Sequence, residues 1–314
     1  MLRNATLKLV QAVPVIVILV VLTFLLMQLL PGDPAVVIAG PEASAAAVDA
    51  IRARLGLDQP IWWQLTSYFM HLLQGDFGTS LILNEPVFNA FLLRLPVTAS
   101  LALVSMIITV PVGVALGTLA AYCHNRRSDV AIMIVALLGV SVPGFWIGIL
   151  SVVLFSVKLG WLPSAGYSPL SDGAWAWLST LVQPAMVLAL FQIGYLARVT
   201  RSAMLDVLDQ DFVRTARAKG MSEWSTVGKH ALRNALIQVV TATGVILSLL
   251  VGGAVVIEQM FALPGIGRFV LDAILRRDYP VVQGSMLLLG IAFVLINLIV
   301  DIIYTWIDPR IRYD

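Results

Sequence analysis

Six mainly apolar stretches run through this chain, roughly Leu9–Leu30, Val97–Cys123, Val130–Val157, Trp177–Ala197, Ile237–Ile257 and Val281–Ile307. Each has about the 20 residues that a helix needs to cross the hydrocarbon of a bilayer. In lipid a backbone can satisfy its polar groups only in a helix or a closed barrel, and barrel strands alternate apolar and polar with period two. These runs are apolar throughout, so the expected fold is all-α with six transmembrane helices. Composition agrees: 59% of the 314 residues are hydrophobic and 12% charged, against roughly a quarter charged in soluble domains. Residues 1–314 read as one transmembrane domain.

The first run follows Arg3 and Lys8 in the manner of a signal peptide. It extends for about 22 residues to a stop at Pro31–Pro34, where signal cores run about 7–15, and is expected to be a retained span. With the N-terminus inside, the cytoplasmic segments hold Arg3, Lys8, Arg126, Arg127, Arg198, Arg201, Arg214, Arg217, Lys219, Lys229, Arg233, Arg310 and Arg312, while the short outer loops hold Lys158, Arg268, Arg276 and Arg277. That asymmetry, rather than the net charge of +2, places both termini in the cytoplasm. The sole cysteine, Cys123, excludes an intrachain disulfide.

Residues 31–95 form the longest outer segment. Val48, Ile51 and Leu55 recur at helical spacing and end at Gly56. A second helix is framed by Pro60 and Gly75 and carries Trp62, Trp63, Tyr68 and Phe69. Such aromatic clusters favour the membrane interface, and a docking surface for an extracytoplasmic partner is compatible with them. Within the spans, Gly113 and Gly117 make a G-x-x-x-G pair suited to close helix packing. Pro143 and Gly144 interrupt the third run, where a plain kink is the ordinary outcome and a broken helix exposing backbone is the other. Gly252 and Gly253 in the fifth run admit the same two readings.

Ionisable groups are scarce inside the runs: Glu258 lies at the outer end of the fifth and Asp301 toward the inner end of the last. Intramembrane charges mark ion relays, so their scarcity weighs against the alternative, an ion-coupled secondary transporter or channel. His71, His124 and His230 are far apart in sequence and divided between the two sides, which leaves no metal cluster. No hydrolase or metalloprotease motif occurs. Gly228-Lys229 resembles the end of a phosphate-binding loop, but His230 follows and Glu223 stands where the first glycine belongs. No catalytic residue is expected, and the chain is not expected to bind ATP itself.

The cytoplasmic loop 200–236 is longer than a minimal connection and strongly basic. Asp211–Lys219 reads as a short helix with Phe212, Ala216 and Lys219 along one side and Arg214 and Arg217 leaning away. Gly220 stops it, and Ser222 is placed to cap a second helix from Glu223 onward. Small residues at such a corner suit insertion into a groove on a partner protein with complementary charge at its rim. A basic element resting on anionic lipid is the other reading.

These residues carry a resemblance. TARAKGMS followed by KHALRNAL is similar to the signature loop of integral membrane subunits of ATP-binding-cassette importers, in the branch moving oligopeptides, dipeptides, glutathione and nickel. The general pattern, Glu-Ala-Ala, three residues, Gly, then Leu-Pro, reads here as Arg214, Thr215, Ala216 and Gly220, with Leu232 and Arg233 for the later pair. The Glu and Pro are missing, so the general family's charge contacts do not transfer. LLPGDP, LGLDQP, GDFGTS, RSAML, MFALPGIGRFVLDAILRRDYPVVQG and WIDPR match the same branch in order along nearly the whole chain.

The resemblance implies a type I importer permease fold in a bacterial inner membrane. It implies that Phe212, Arg214, Thr215, Ala216, Arg217, Lys219, Gly220, Met221 and Ser222 form a coupling helix that docks on an ATPase subunit. The partners implied are a second homologous permease, two ATP-binding subunits holding ATP and Mg, and an extracytoplasmic substrate-binding protein; no nucleic acid is involved. Di- or oligopeptides are the expected cargo. Pro264, Gly265 and Gly267 are expected to form a tight outer turn near the substrate path.

Overall fold

The computed structural model describes residues 2–29, 33–40, 43–54 and 56–307. Among them the regular structure is helical: α1 (Leu2–Leu29), α2 (Pro34–Ala39), α3 (Ala45–Arg54), α4 (Ile61–Leu73), α5 (Val87–Tyr122), α6 (Arg127–Ser141), α7 (Gly144–Ser151), α8 (Ala174–Leu208), α9 (Asp211–Ala218), α10 (Glu223–Ser225), α11 (Leu232–Gly253), α12 (Val255–Met260), α13 (Ile266–Arg276) and α14 (Tyr279–Ile307). Wider π-helical turns continue α7 over Val152–Lys158 and join α10 to α11 over Thr226–Ala231.

Among the described residues four helical stretches are long and apolar enough to cross a membrane, Val87–Tyr122, Ala174–Leu208, Glu223–Leu250 and Tyr279–Val300, and the bent pair Arg127–Ser141 with Gly144–Lys158 makes a fifth if it crosses as one span. The described apolar part of α1, Val10–Leu26, is shorter. This is a multi-pass membrane protein. Within the described residues the expected six runs fall mainly on helices, the third and fifth with breaks. Leu30, Leu55, Arg310 and Arg312, and the side chains of Arg3, Lys8 and Asp301, lie outside what is described.

The third run is broken, where a simple kink was the ordinary expectation. α6 and α7 meet at 95°. Val142 is extended (φ −83°, ψ 130°) and Pro143 follows at ψ 128°. The proline ring pushes the residue before it out of the helical region, so two consecutive residues leave the helix and the axis turns. The glycine pair in the fifth run also ends a helix: α11 stops at Gly253, and Ala254 leads into α12.

The chain divides into two compact units, one built on Val97–Pro264 with the chain from Ile296, the other on Leu2–Pro96 with Gly265–Leu295. In the first, small residues let helices meet backbone to backbone. A methyl group on Gly117 of α5 would sit 2.5 Å from the Ala197 carbonyl oxygen of α8, and one on Gly113 would sit 2.9 Å from Leu196. Gly194 is closer still, its virtual Cβ 2.3 Å from the Ala136 oxygen of α6. The G-x-x-x-G pair thus packs within the chain. Leu101, Leu181, Ala185, Phe261 and Leu263 make one apolar core, and Leu196, Ile246 and Leu250 another. Glu258 is wholly buried and accepts a 2.6 Å hydrogen bond from Thr98 Oγ1.

In the second unit α3 and α4 lie where the apolar spacing predicts. Gly56 takes φ +66° after α3, and a methyl there would also meet Trp63 at 2.8 Å. Gly75, at φ +79°, follows α4. Trp62 is 71% exposed, and α4 has no buried residue. Asp33 caps α2 through the Ala35 N–H at 2.8 Å. Its ion pair with Arg52, helped by that backbone bond, holds its carboxyl below the usual carboxylate range. Phe91, Ile266, Val270 and Leu288 form part of the core.

Candidate functional site

The basic loop builds a rigid corner. α9 ends in a complete Schellman closure: the Gly220 N–H bonds to the Arg217 carbonyl (2.9 Å) and the Met221 N–H to the Ala216 carbonyl (3.3 Å). Gly220 stands at φ +77°, a conformation that costs an L-residue roughly 1–2 kcal/mol. Ser222 then caps α10, its side chain accepting from the Ser225 N–H. Arg217 spans the corner with two bonds to Glu223, Nε to Oε1 at 2.9 Å and Nη2 to Oε2 at 3.3 Å. Stop, cap and second helix are as the sequence predicts.

The phase of α9 is different. Val213 and Ala216 are its buried residues, and Val213 packs with Ala121, Met204, Val207, Val227 and Ala231. Phe212 is exposed, as are Arg214, Thr215, Arg217, Lys219 and Gly220, while Met221 is half-buried. The expected stripe of Phe212, Ala216 and Lys219 is therefore split. The inner side of an eight-residue helix is chosen by the surface beneath it, and the seat formed by α5, α8 and the Thr226–Ala231 turn takes Val213. What remains outward is one aromatic ring with a cationic surround.

Between α6 and α8 lies an ion pair that sequence reading missed. Asp129 of α6 has a side chain only 5% exposed, and Arg201 of α8 donates to both its oxygens, Nε and Nη2 each at 2.7 Å. The Asn125 N–H reaches Asp129 at 3.3 Å, and His124 Nδ1 lies 3.2 Å from Arg201 Nη2. Arg201 lies on α8 three residues before Met204, which packs in the same cluster as Val213 of α9. Arg201 is therefore more than a charge marking one side of the membrane. A cleft of about 580 Å³ opens beside the corner, with Arg126, Asp209, Arg217 and Glu223 on its walls. Among the described residues no group of histidine, cysteine and carboxylates is placed to hold a metal.

The turn expected at Pro264, Gly265 and Gly267 lies slightly earlier in the chain. It is formed at Phe261–Leu263, with Ala262 at φ +50° and the Leu263 N–H bonded to the Glu258 carbonyl at 2.8 Å. Pro264 follows it. Gly265 is extended at the N-terminus of α13, and Gly267 is buried inside that helix. The short spacing of Pro264, Gly265 and Gly267 reads as a turn, but a helix start accepts glycine and proline equally well.

Residues 113–313 match the family described as binding-protein-dependent transport system inner membrane component, and residues 1–102 match its N-terminal membrane component. A relative from Brucella abortus (strain 2308), named as a peptide transport system permease protein, is 59% identical over 304 residues, 97% of each chain. The glutathione transport system permease protein GsiC of Salmonella choleraesuis is 45% identical over 313 residues, 100% of each chain. The fold is similar to a solved chain of the MetNI methionine ABC transporter in an inward-facing conformation, with a TM-score of 0.59, 19% identity and coverage of 70% of this chain and 97% of that one. The chain belongs to the family of inner membrane components of binding-protein-dependent transport systems, the permease subunits of ABC importers, which work with a partner permease and ATPase subunits.

Proposed function

We propose that this chain forms half of an import path for di- or oligopeptides in a bacterial inner membrane, both termini cytoplasmic, paired with a second, homologous permease. Two ATP-binding subunits hold ATP and Mg beneath the pair, and an extracytoplasmic binding protein delivers the cargo; this chain carries no nucleotide or metal of its own. The peptide class is supported by the 59% identical relative named for peptide transport, and glutathione, itself a small peptide, is the cargo named for the 45% identical one. Coupling is assigned to Phe212, Arg214, Thr215, Ala216, Arg217, Lys219, Gly220, Met221 and Ser222. Ala216 and Met221 seat the helix, Gly220 and Ser222 shape the corner, and the remaining side chains meet the ATPase. Pro264, Gly265 and Gly267 connect the outer end of the path.

The observation that carries the reading is the free face of α9. It is exposed, short and cationic, yet its backbone is closed by two Schellman bonds and by the Arg217–Glu223 bridge. A surface element held this stiffly can transmit displacement, because a partner's motion moves the spans only if the link between them does not yield. ATP binding draws the two ATPase subunits together, and the α9 corners of both permeases follow, biasing the path outward; release after hydrolysis biases it inward. Such a shift requires contacts that differ between the two states, and the ATPase groove supplies them. Purification of the tagged chain from its own membrane in mild detergent is expected to bring down a second permease and nucleotide-hydrolysing subunits. Recovery of the chain as a homo-oligomer free of any ATPase would refute the assignment.

A further inference from the structure

Arg94 and Arg276 line one cavity of about 200 Å³ in the second unit, with Phe269, Asp272 and Asp278 also on its wall. The Arg94 guanidinium lies 4.0 Å above the centre of the Phe269 ring and donates one N–H to the Ala90 carbonyl at 2.7 Å. Both carboxylates are already engaged. Asp278 accepts from Ser80 Oγ at 2.6 Å and from the Leu81 and Ile82 N–H groups at 3.2 and 3.4 Å. Asp272 faces Arg268 at 3.8 Å. Neither Arg94 nor Arg276 has a carboxylate partner within ion-pair distance among the described residues.

Their depth is fixed by the sequence. Arg94 immediately precedes Leu95–Cys123, and Arg276–Asp278 immediately precede Tyr279–Val300, two stretches without a single Asp, Glu, Lys, Arg or His. Arg94, in the second turn of α5, and Arg276, at the end of α13, thus each border a charge-free stretch of hydrocarbon length, at the level of lipid headgroups. Leu83 lines the cavity and is 46% exposed, and Leu93 and Leu275, each next in sequence to one of the arginines, are 76% and 72% exposed. The cavity is smaller than the roughly 300–1,000 Å³ of ordinary small-molecule sites, too small for a peptide and ample for a phosphate. Guanidinium groups match phosphate oxygens in pairs, and an aromatic platform holds one of them in orientation.

We propose that this cavity is a headgroup site for an anionic phospholipid, the phosphate held between Arg94 and Arg276 and the acyl chains lying along the neighbouring leucines. It does not depend on the transport reading, since it needs neither nucleotide nor partner. The test is native mass spectrometry of the purified full chain, with any subunits that accompany it, in neutral detergent supplemented with phosphatidylglycerol or phosphatidylcholine. Phosphatidylglycerol is expected to stay bound and phosphatidylcholine to leave. Arg94→Gln and Arg276→Gln should each weaken retention about tenfold, the loss of one charge-assisted contact, while Arg277→Gln, which does not line the cavity, leaves it unchanged. If Arg94→Gln fails to fold, Arg276→Gln at the exposed end of α13 decides alone. Equal retention of the two lipids, or an Arg276→Gln chain indistinguishable from native, overturns the proposal. So does inorganic phosphate binding as tightly as the lipid, which makes this a free-anion site. Loss of binding-protein docking in both variants with lipid retention intact overturns it in favour of a protein contact.

Discussion

Replacing Arg201 with methionine is expected to lower the stability of the purified chain by about 3 kcal/mol, the lower end of the range for removing one partner of a buried ion pair. The lower end applies because the Arg201 side chain is 26% exposed, whereas that of Asp129 is 5% exposed and cannot recover water. The variant leaves a carboxylate that has lost both 2.7 Å bonds and keeps only the Asn125 N–H at 3.3 Å and the His124 ring at 3.5 Å. Removing both charges together, as Asp129→Leu with Arg201→Met, should recover most of the loss, since an apolar pair of similar volume avoids the stranded charge. Thermal unfolding in detergent checks both: a fall of several degrees for the single variant, partly restored in the double. A single variant as stable as the native chain, or a double no better than the single, would show that the pair does not hold α6 to α8. Because Met204 and Val207 on the same helix seat Val213, the single variant should also loosen the α9 corner.

At the corner itself, Gly220→Trp is expected to reduce retention of the ATPase subunits about 5- to 150-fold and ATP-driven uptake with it. A virtual Cβ on Gly220 meets no atom of its own chain within 4 Å. Within this subunit the glycine is therefore required for its φ of +77°, a modest strain for other residues, and not for room. Any penalty for bulk must come from the partner, where overfilling a fitted groove costs about 1–3 kcal/mol, equivalent to the fold-change given. Gly220→Asn separates the two effects, because asparagine tolerates the left-handed region and adds little volume. It should keep most of the binding. A tryptophan variant that assembles and transports like the native chain would mean that the face beside Gly220 meets solvent or lipid instead.

The parts of this structure legible in the sequence are those fixed locally or by the solvent. Lipid permits few backbone solutions, so the apolar runs became helices where expected, and α3 and α4 followed from spacing, Pro60 and the glycines at 56 and 75. Gly220 as a stop and Ser222 as a cap are decisions within four residues, and both hold. The break at SVPGFW was half legible: a proline predicts disturbance, but its size depends on whether Val142 stays helical, and Val142 is extended. The face that α9 buries was not legible, because the seat comes from α5, α8 and the turn before α11. Nor was Arg201–Asp129, separated by 72 residues, or Thr98–Glu258, separated by 160. Each residue looked ordinary in its own segment: an arginine at a basic helix end, an aspartate in a first turn, a threonine in an apolar run.

Uptake by membrane vesicles tests the central claim most directly, with labelled dipeptide and the binding protein supplied outside. Depleting internal ATP while an imposed ion gradient is maintained should abolish accumulation, and collapsing the gradient with ATP present should leave it largely intact. Uptake that survives ATP depletion and vanishes with the gradient would make this chain an ion-coupled carrier, and would leave the corner at Gly220 without a motor to follow.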